Sequence, residues 1–137
     1  MSQYATCIDD GTQILRGDRY RFTIDGHVTP YVRMTQRSKF VNKQAQKYLA
    51  WQEDARWQMR AQMQRHGWQM IPERTPFRVR CWFVPYQHRS DLDNLVKAVM
   101  DAAQSVVYPD DRWCDEIAAA RATGGPERAV LDVLWPT

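Results

Sequence analysis

The chain has 137 residues, a formal net charge of +3, 44% hydrophobic residues and 26% charged residues. This composition is typical of a globular domain and excludes a disordered, collagen-like or disulfide-rich chain. There is no long apolar run or signal-peptide pattern, and the cysteines (Cys7, Cys81 and Cys114) lack zinc or disulfide spacing, so we expect a cytoplasmic protein with reduced thiols.

The first half of the chain predicts a leader, a strand and a long helix. Residues 1–18 have no clear period and are expected to be a leader, followed by a single domain over 19–137. Alternating apolar residues from Tyr20 to Ile24 predict a strand that ends at Asp25-Gly26. A loop or hairpin is expected over 27–41. Asn42 is a good N-cap, and apolar residues recur every three or four positions up to a stop at Gly67, which predicts a helix from Asn42 to about His66.

The second half predicts a further strand, a helix and two final strands. Alternation over Phe77–Phe83 indicates a strand, and an apolar stripe indicates a helix from Asp91 to Gln104. Strands follow at about 112–122 and 128–135, joined by a predicted hairpin turn at 123–126. The order β-α-β-α-β-β predicts an α+β domain in which a mixed sheet is packed by two helices.

Carboxylates cluster around the second helix. Asp91 and Asp93 flank an apolar anchor at the helix start, and Asp93, Lys97 and Asp101 are four apart and share one face. Another pair, Asp110-Asp111, lies in the loop that returns from the end of this helix. Hard divalent cations prefer oxygen ligands, so the arrangement suits Mg²⁺. Helix capping is the alternative, because Ser90 with Asp93 resembles a capping box and acids favour a helix N-terminus.

The motif resembles a known family. Asp-Leu-Asp-Asn-Leu-x-Lys at 91–97, then Asp101-Ala102, then Val107-Tyr108-x-Asp110-Asp111 is similar to the RusA-type Holliday-junction resolvases. The likeness extends over roughly 19–135 and includes the basic segment 33–37. It implies that Asp91, Asp93 and Asp111 hold Mg²⁺ or Mn²⁺, that Lys97 is catalytic, and that Asp110 has a supporting role. It also implies a homodimer that cuts branched DNA in recombination and repair, in a bacterial or phage-infected cell.

The charge distribution favours a polyanionic partner. Residues 1–89 carry 15 Lys and Arg against 7 Asp and Glu, whereas residues 90–137 carry 4 against 9. A basic front part can contact DNA phosphates, and an acidic back part can do so through a cation. The candidate phosphate contacts are Arg33, Arg37, Lys39, Lys43 and Lys47, and the resemblance adds Arg121 in the strand after the paired acids. No organic cofactor and no membrane partner are expected.

Three other functions remain open from the sequence. The chain could be a metal-dependent nuclease for flaps or replication forks, which cleavage assays on differently branched DNA would distinguish. It could be a catalytically silent junction-binding protein, which would bind branched DNA and give no product. It could also be a structural domain in which the acids are only helix caps.

Overall fold

Four strands and two helices build the fold. The computed structural model describes residues 18–35 and 42–136, together with Ile8. In chain order the elements are β1 (Asp18–Asp25), α1 (Lys43–His66), β2 (Phe77–Val84), α2 (Leu92–Ala103), a 3₁₀ turn (Asp111–Trp113), β3 (Cys114–Arg121) and β4 (Arg128–Trp135). The predicted α+β class and the β-α-β-α-β-β order are confirmed.

The strands form one mixed sheet in the order β1-β4-β2-β3. β4 is antiparallel to both of its neighbours, whereas β2 and β3 run parallel. The predicted hairpin turn at 123–126 is therefore wrong, because β2 lies between β3 and β4. β4 is buried at six consecutive positions, Ala129 to Leu134, and β3 is largely exposed. A strand that is apolar on both faces needs a central place in the sheet, whereas an exposed one tolerates the edge.

The ends of α1 follow from local chemistry. The side chain of Asn42 accepts hydrogen bonds from the backbone N–H groups of Gln44 (2.8 Å) and Ala45 (3.3 Å), which satisfies donors that have no partner within the helix. Gly67 ends the helix with φ +67°, in the left-handed region, where glycine avoids the strain that a side chain would cause. Both predicted boundaries are confirmed.

Both helices cover the same face of the sheet. The main core combines the helix stripes with alternate residues of the strands, among them Tyr48, Met59, Phe77, Leu95, Val99 and Leu131. The most regular stripe belongs to α2, which buries seven of its residues. This packing fixes the helix that carries the carboxylate motif, since removing apolar area from water stabilises by about 25 cal/mol per Å².

The opposite face of the sheet carries a charged network around a buried carboxylate. Asp132 in β4 is fully buried and accepts two hydrogen bonds from Arg21 in β1, at 2.6 and 2.9 Å. The indole ring of Trp82 lies 5.4 Å from the Arg21 guanidinium and 5.2 Å from that of Arg80. Ile8 packs against the small apolar cluster around Trp82. A paired carboxylate is tolerated here because its charge is matched and its oxygens are hydrogen-bonded.

Neither of the two helices described is both long and apolar enough to cross a membrane.

Candidate active site

The carboxylates at the start of α2 do not act as helix caps. The N-cap residue is Asp91 rather than Ser90, and its side chain makes no capping hydrogen bond to the helix. The backbone carbonyl of Asp91 accepts the first helical bonds, from the N–H groups of Asn94 and Leu95 at 3.1 Å. The Asp93 carboxylate accepts from its neighbour, the N–H of Asn94, at 3.0 Å. A capping box is absent from this helix start, although Asp93 in the first turn has the position in which a helix N-terminus favours negative charge.

A rigid loop presents the second pair of acids. Tyr108 anchors this loop: its ring stacks on Phe77 with centroids 4.4 Å apart, and its hydroxyl donates to the Met100 carbonyl at 2.8 Å. Burial raises the pKa of the Tyr108 phenol well above its usual value. Asp110 caps the following 3₁₀ turn by accepting from the N–H of Arg112 at 2.9 Å. Asp110 therefore shapes the turn that carries Asp111, and its supporting role in the reaction stays a prediction.

The two acidic segments meet at one cavity of about 790 Å³, which we call the acidic cavity. Its charged lining residues are Asp93, Lys97, Asp101 and Asp111. The apolar part of the lining comes from one face of α2 and from β3, and consists of Leu92, Val96, Met100, Cys114, Ile117 and Ala119. The fold thus brings together an acid from the start of the helix, an acid from the return loop and the lysine.

The donor set of the acidic cavity suits an open magnesium site rather than a closed cage. Among residues 18–35 and 42–136, no group of at least three His, Cys, Asp or Glu side chains is gathered tightly enough to hold a metal ion. Asp93 and Asp111 nevertheless line the same cavity, and Mg²⁺ in phosphoryl-transfer sites is usually held by one or two carboxylates, water and substrate phosphate. Asp91 is exposed and is not among the described lining residues, so its role as a ligand stays a prediction.

Lys97 points along the helix face that borders the acidic cavity. Its ammonium nitrogen lies 3.3 Å from Oδ2 of Asp101, one turn further along α2, and 4.7 Å from the ring centroid of Tyr31. The lysine side chain is 48% exposed, so its charge remains accessible to a phosphate in the cavity. The sequence predicted the shared face of Lys97 and Asp101 from their spacing, but nothing in it pointed to Tyr31.

Arg121 holds the segment that leads into α2. Its guanidinium donates to the backbone carbonyls of His88 (3.1 Å) and Ser90 (2.6 Å). His88 is itself buried; its Nε2 lies 2.9 Å from the Val28 carbonyl, and its ring stacks on that of His27. These contacts fix the backbone just before Asp91. A DNA contact by Arg121 stays a prediction, and its observed contacts are those of a positioning residue.

The remaining basic candidates lie on exposed surface or outside the described residues. Arg33, Lys43 and Lys47 are exposed, and the last two are one helical turn apart at the start of α1. Arg37 and Lys39 lie outside the described residues. The three described side chains are accessible to a phosphate backbone.

The acidic cavity and its accessible lysine lie in a chain with a basic front part, a combination that phosphodiester chemistry would use. The comparison with known families agrees: residues 25–133 match the family model described as Endodeoxyribonuclease RusA. The chain belongs to the RusA endodeoxyribonuclease family, and the predicted resemblance is confirmed. A comparison with individual curated proteins gave no match.

Proposed function

We propose that this chain resolves four-way DNA junctions by divalent-metal-dependent hydrolysis of phosphodiester bonds, in DNA recombination and repair. The observation that carries the proposal is the convergence of Asp93, Asp111 and Lys97 on one cavity from two separate segments. Acids that are merely exposed to solvent need not lie near one another. The convergence of carboxylates from two segments and a lysine on one cavity therefore favours a functional site. Family membership supports endonuclease chemistry at the same site.

Each group in the acidic cavity has a defined part in the proposed reaction. A water oxygen loses a proton to solvent and forms a new bond to phosphorus, one backbone P–O bond breaks, and the leaving oxygen takes up a proton from solvent. Bound Mg²⁺ or Mn²⁺ supplies an acidified water and charge neutralisation. Asp93 and Asp111, with Asp91, would hold that ion. Lys97 would offset the negative charge that grows on the phosphate oxygens, since a cation that is already positioned beside the phosphate needs no reorganisation during the reaction.

Asp91 belongs in the proposed ligand set for a local reason. Its carboxylate lies beside the first turn of α2 and makes no capping hydrogen bond there. Because it has no capping bond to lose, the Asp91 carboxylate is free to turn toward a cation when phosphate and metal enter together, and the nearby N-terminal end of the helix stabilises negative charge. Substrate phosphate completes many magnesium sites that are incomplete in the free protein.

The proposed DNA contacts surround this chemistry. Arg33, Lys43 and Lys47 are exposed and able to pair with phosphates, and Arg37 and Lys39 extend the same basic stretch of sequence. Such contacts position a duplex without reading its bases. A homodimer suits a four-way junction, because a two-fold axis presents two identical sites to two opposed strands. The proposed setting is the cytoplasm of a bacterial or phage-infected cell.

Replacing one carboxylate tests the proposal directly. In Asp93→Asn the side chain keeps its size and loses its charge, so we expect cleavage of a four-way junction in Mg²⁺ to fall by at least about 100-fold, the scale on which metal ligation supplies several kcal/mol. Junction binding, measured by gel shift without metal, should change little. The matched control is Asp25→Asn, an exposed carboxylate of β1 outside the cavity. Full cleavage activity in Asp93→Asn would contradict the assignment.

A further inference from the structure

The ammonium group of Lys97 makes two contacts of different kinds. Asp101 lies at 3.3 Å and supplies a charged partner, and the ring of Tyr31 lies at 4.7 Å and supplies an aromatic face. A lysine on a helix surface otherwise samples many rotamers, and its side-chain entropy amounts to about 2 kcal/mol. Two partners restrict that freedom and favour one position of the charge.

The Tyr31 ring is itself fixed. The backbone N–H of Tyr31 donates to the Asn94 carbonyl in the first turn of α2, at 3.1 Å. Its ring packs edge-to-face on Tyr48, with centroids 5.7 Å apart and an interplanar angle of 88°. Tyr48 is fully buried in the core, so it gives the Tyr31 ring a rigid support. The position of the Tyr31 ring is thus fixed relative to α2, although Tyr31 itself belongs to a loop.

The Asp101 side is fixed by a contact between the helices. The guanidinium of Arg56 in α1 donates to the backbone carbonyls of Asp101 (3.0 Å) and Ala102 (3.2 Å). These carbonyls belong to the last turn of α2, where helical acceptors lack partners within the helix. Arg56 therefore caps the helix end and holds the backbone that carries the Asp101 carboxylate.

The two contacts affect the lysine charge differently. A carboxylate attracts the ammonium and also cancels part of its field, so an ion pair alone would weaken its pull on a phosphate. An aromatic face attracts a cation through its quadrupole and carries no net charge. The ring therefore keeps the ammonium beside the acidic cavity without neutralising it. This is the property that a phosphate-binding lysine needs.

We propose that Tyr31 is a positioning residue for the nuclease reaction, because its ring holds the Lys97 ammonium at the acidic cavity. The inference rests on the proposed function of Lys97 in hydrolysis. Tyr31 lies 66 positions from Lys97 along the chain, within the basic loop segment that precedes α1. It thereby links the front part of the chain to the charged side chains of α2.

Two substitutions separate the aromatic face from other roles of the side chain. In Tyr31→Leu the face is lost while the backbone bond to Asn94 can persist, so we expect kcat for junction cleavage in Mg²⁺ to fall about two- to five-fold, the equivalent of an exposed cation–π contact. KM should change little. In Tyr31→Phe the face remains, so kcat should stay close to that of the unmodified protein. An equal loss in both variants, or no loss in Tyr31→Leu, would overturn the inference.

A second measurement needs no cleavage. Protons over an aromatic ring are shifted upfield in NMR spectra, so the Cε methylene signal of Lys97, assigned by its loss in Lys97→Met, should be shifted in the metal-free protein and in Tyr31→Phe. The signal should return to the ordinary lysine position in Tyr31→Leu. An unshifted signal in the unmodified protein would refute the contact even if cleavage were normal. If the signal is shifted in the unmodified protein but Lys97→Met cleaves junctions with full activity, the proposed function of the lysine is refuted. The positioning role of Tyr31 is then refuted with it.

Discussion

At the scale of single residues, Tyr108 connects the core to the proposed chemistry. It is fully buried, stacks on Phe77 and donates to the Met100 carbonyl. The same residue begins the turn that leads to Asp110 and Asp111. Because Met100 also accepts from the backbone N–H of Gln104, its carbonyl keeps a partner when the tyrosine hydroxyl is removed. The hydroxyl can therefore be deleted without leaving a buried acceptor unpaired.

Tyr108→Phe should show a pH-dependent stability difference. Near pH 7 we expect the variant to be less stable by about 0.5–1.5 kcal/mol, the net value of one hydrogen bond. Burial raises the pKa of Tyr108 in the folded chain, and the unfolded phenol ionises near pH 10. Its contribution is thus complete below about pH 10 and is lost as the pH rises further. Urea unfolding at pH 7 and near pH 10.5 measures this, and a difference that does not shrink would contradict it.

The acids were predictable from the sequence, and their supports were not. Asp93, Lys97 and Asp101 are spaced by four on one helix, so spacing alone places them on one face, and all three line the acidic cavity. Tyr31 reaches Lys97, and Arg121 reaches the His88 and Ser90 carbonyls, across the tertiary fold. A pattern along the chain reports which side chains share a face. It does not report which distant side chain packs on that face, so only the structure reveals these contacts.

At the scale of elements, α1 closes part of the outer edge of the sheet. The side-chain amide of Gln62 accepts from the Thr23 N–H (3.0 Å) and donates to the Thr23 carbonyl (2.8 Å). Gln58 makes the equivalent pair with Asp25, at 2.8 and 3.3 Å. Each amide thus occupies the backbone groups that a neighbouring strand would use. This protects an edge strand that would otherwise offer unpaired groups to other chains.

Gln62→Glu should lower the free energy of unfolding, because it disrupts the contacts between α1 and this edge strand. A carboxylate can accept from the Thr23 N–H and cannot donate to its carbonyl, so an acceptor is left facing a negative charge. We expect a loss of about 1–3 kcal/mol in unfolding free energy, the penalty for an unsatisfied partly buried group. Gln64→Glu is the matched control, because that residue is exposed on the same helix. Comparison of urea midpoints tests this, and equal stability of both variants would contradict it.

Element positions were predictable, and the neighbours of the strands were only partly so. The Asn42 cap and the Gly67 stop predicted α1 because capping is local chemistry. The predicted hairpin between β3 and β4 was wrong. A glycine-rich turn can join two strands that pair with each other, and it can equally join two strands that are separated in the sheet by a third. The order of the strands follows instead from their burial, because β4 is buried on both faces and β3 is largely exposed. A strand that is buried on both faces lies inside the sheet.

At the scale of the whole molecule, charge is divided in a way that suits a metal-dependent nuclease. The exposed lysines at the start of α1 belong to the basic part of the sequence, whereas the acidic cavity belongs to the acidic part. Under the proposed function, the basic part contacts DNA phosphates directly, and the acidic part approaches phosphate through a cation and through Lys97. In a two-fold homodimer the division would appear twice, once for each opposed strand of a junction.

The most direct test of the central claim is cleavage of a synthetic four-way DNA junction. Purified protein is incubated with the end-labelled junction in Mg²⁺, in Mn²⁺ or in a chelator, next to a linear duplex of the same arm sequence. We predict symmetrically placed nicks in two opposed strands of the junction with either metal ion, and no product from the linear duplex or in the chelator. A junction that is bound and stays intact in both metal ions would contradict the account.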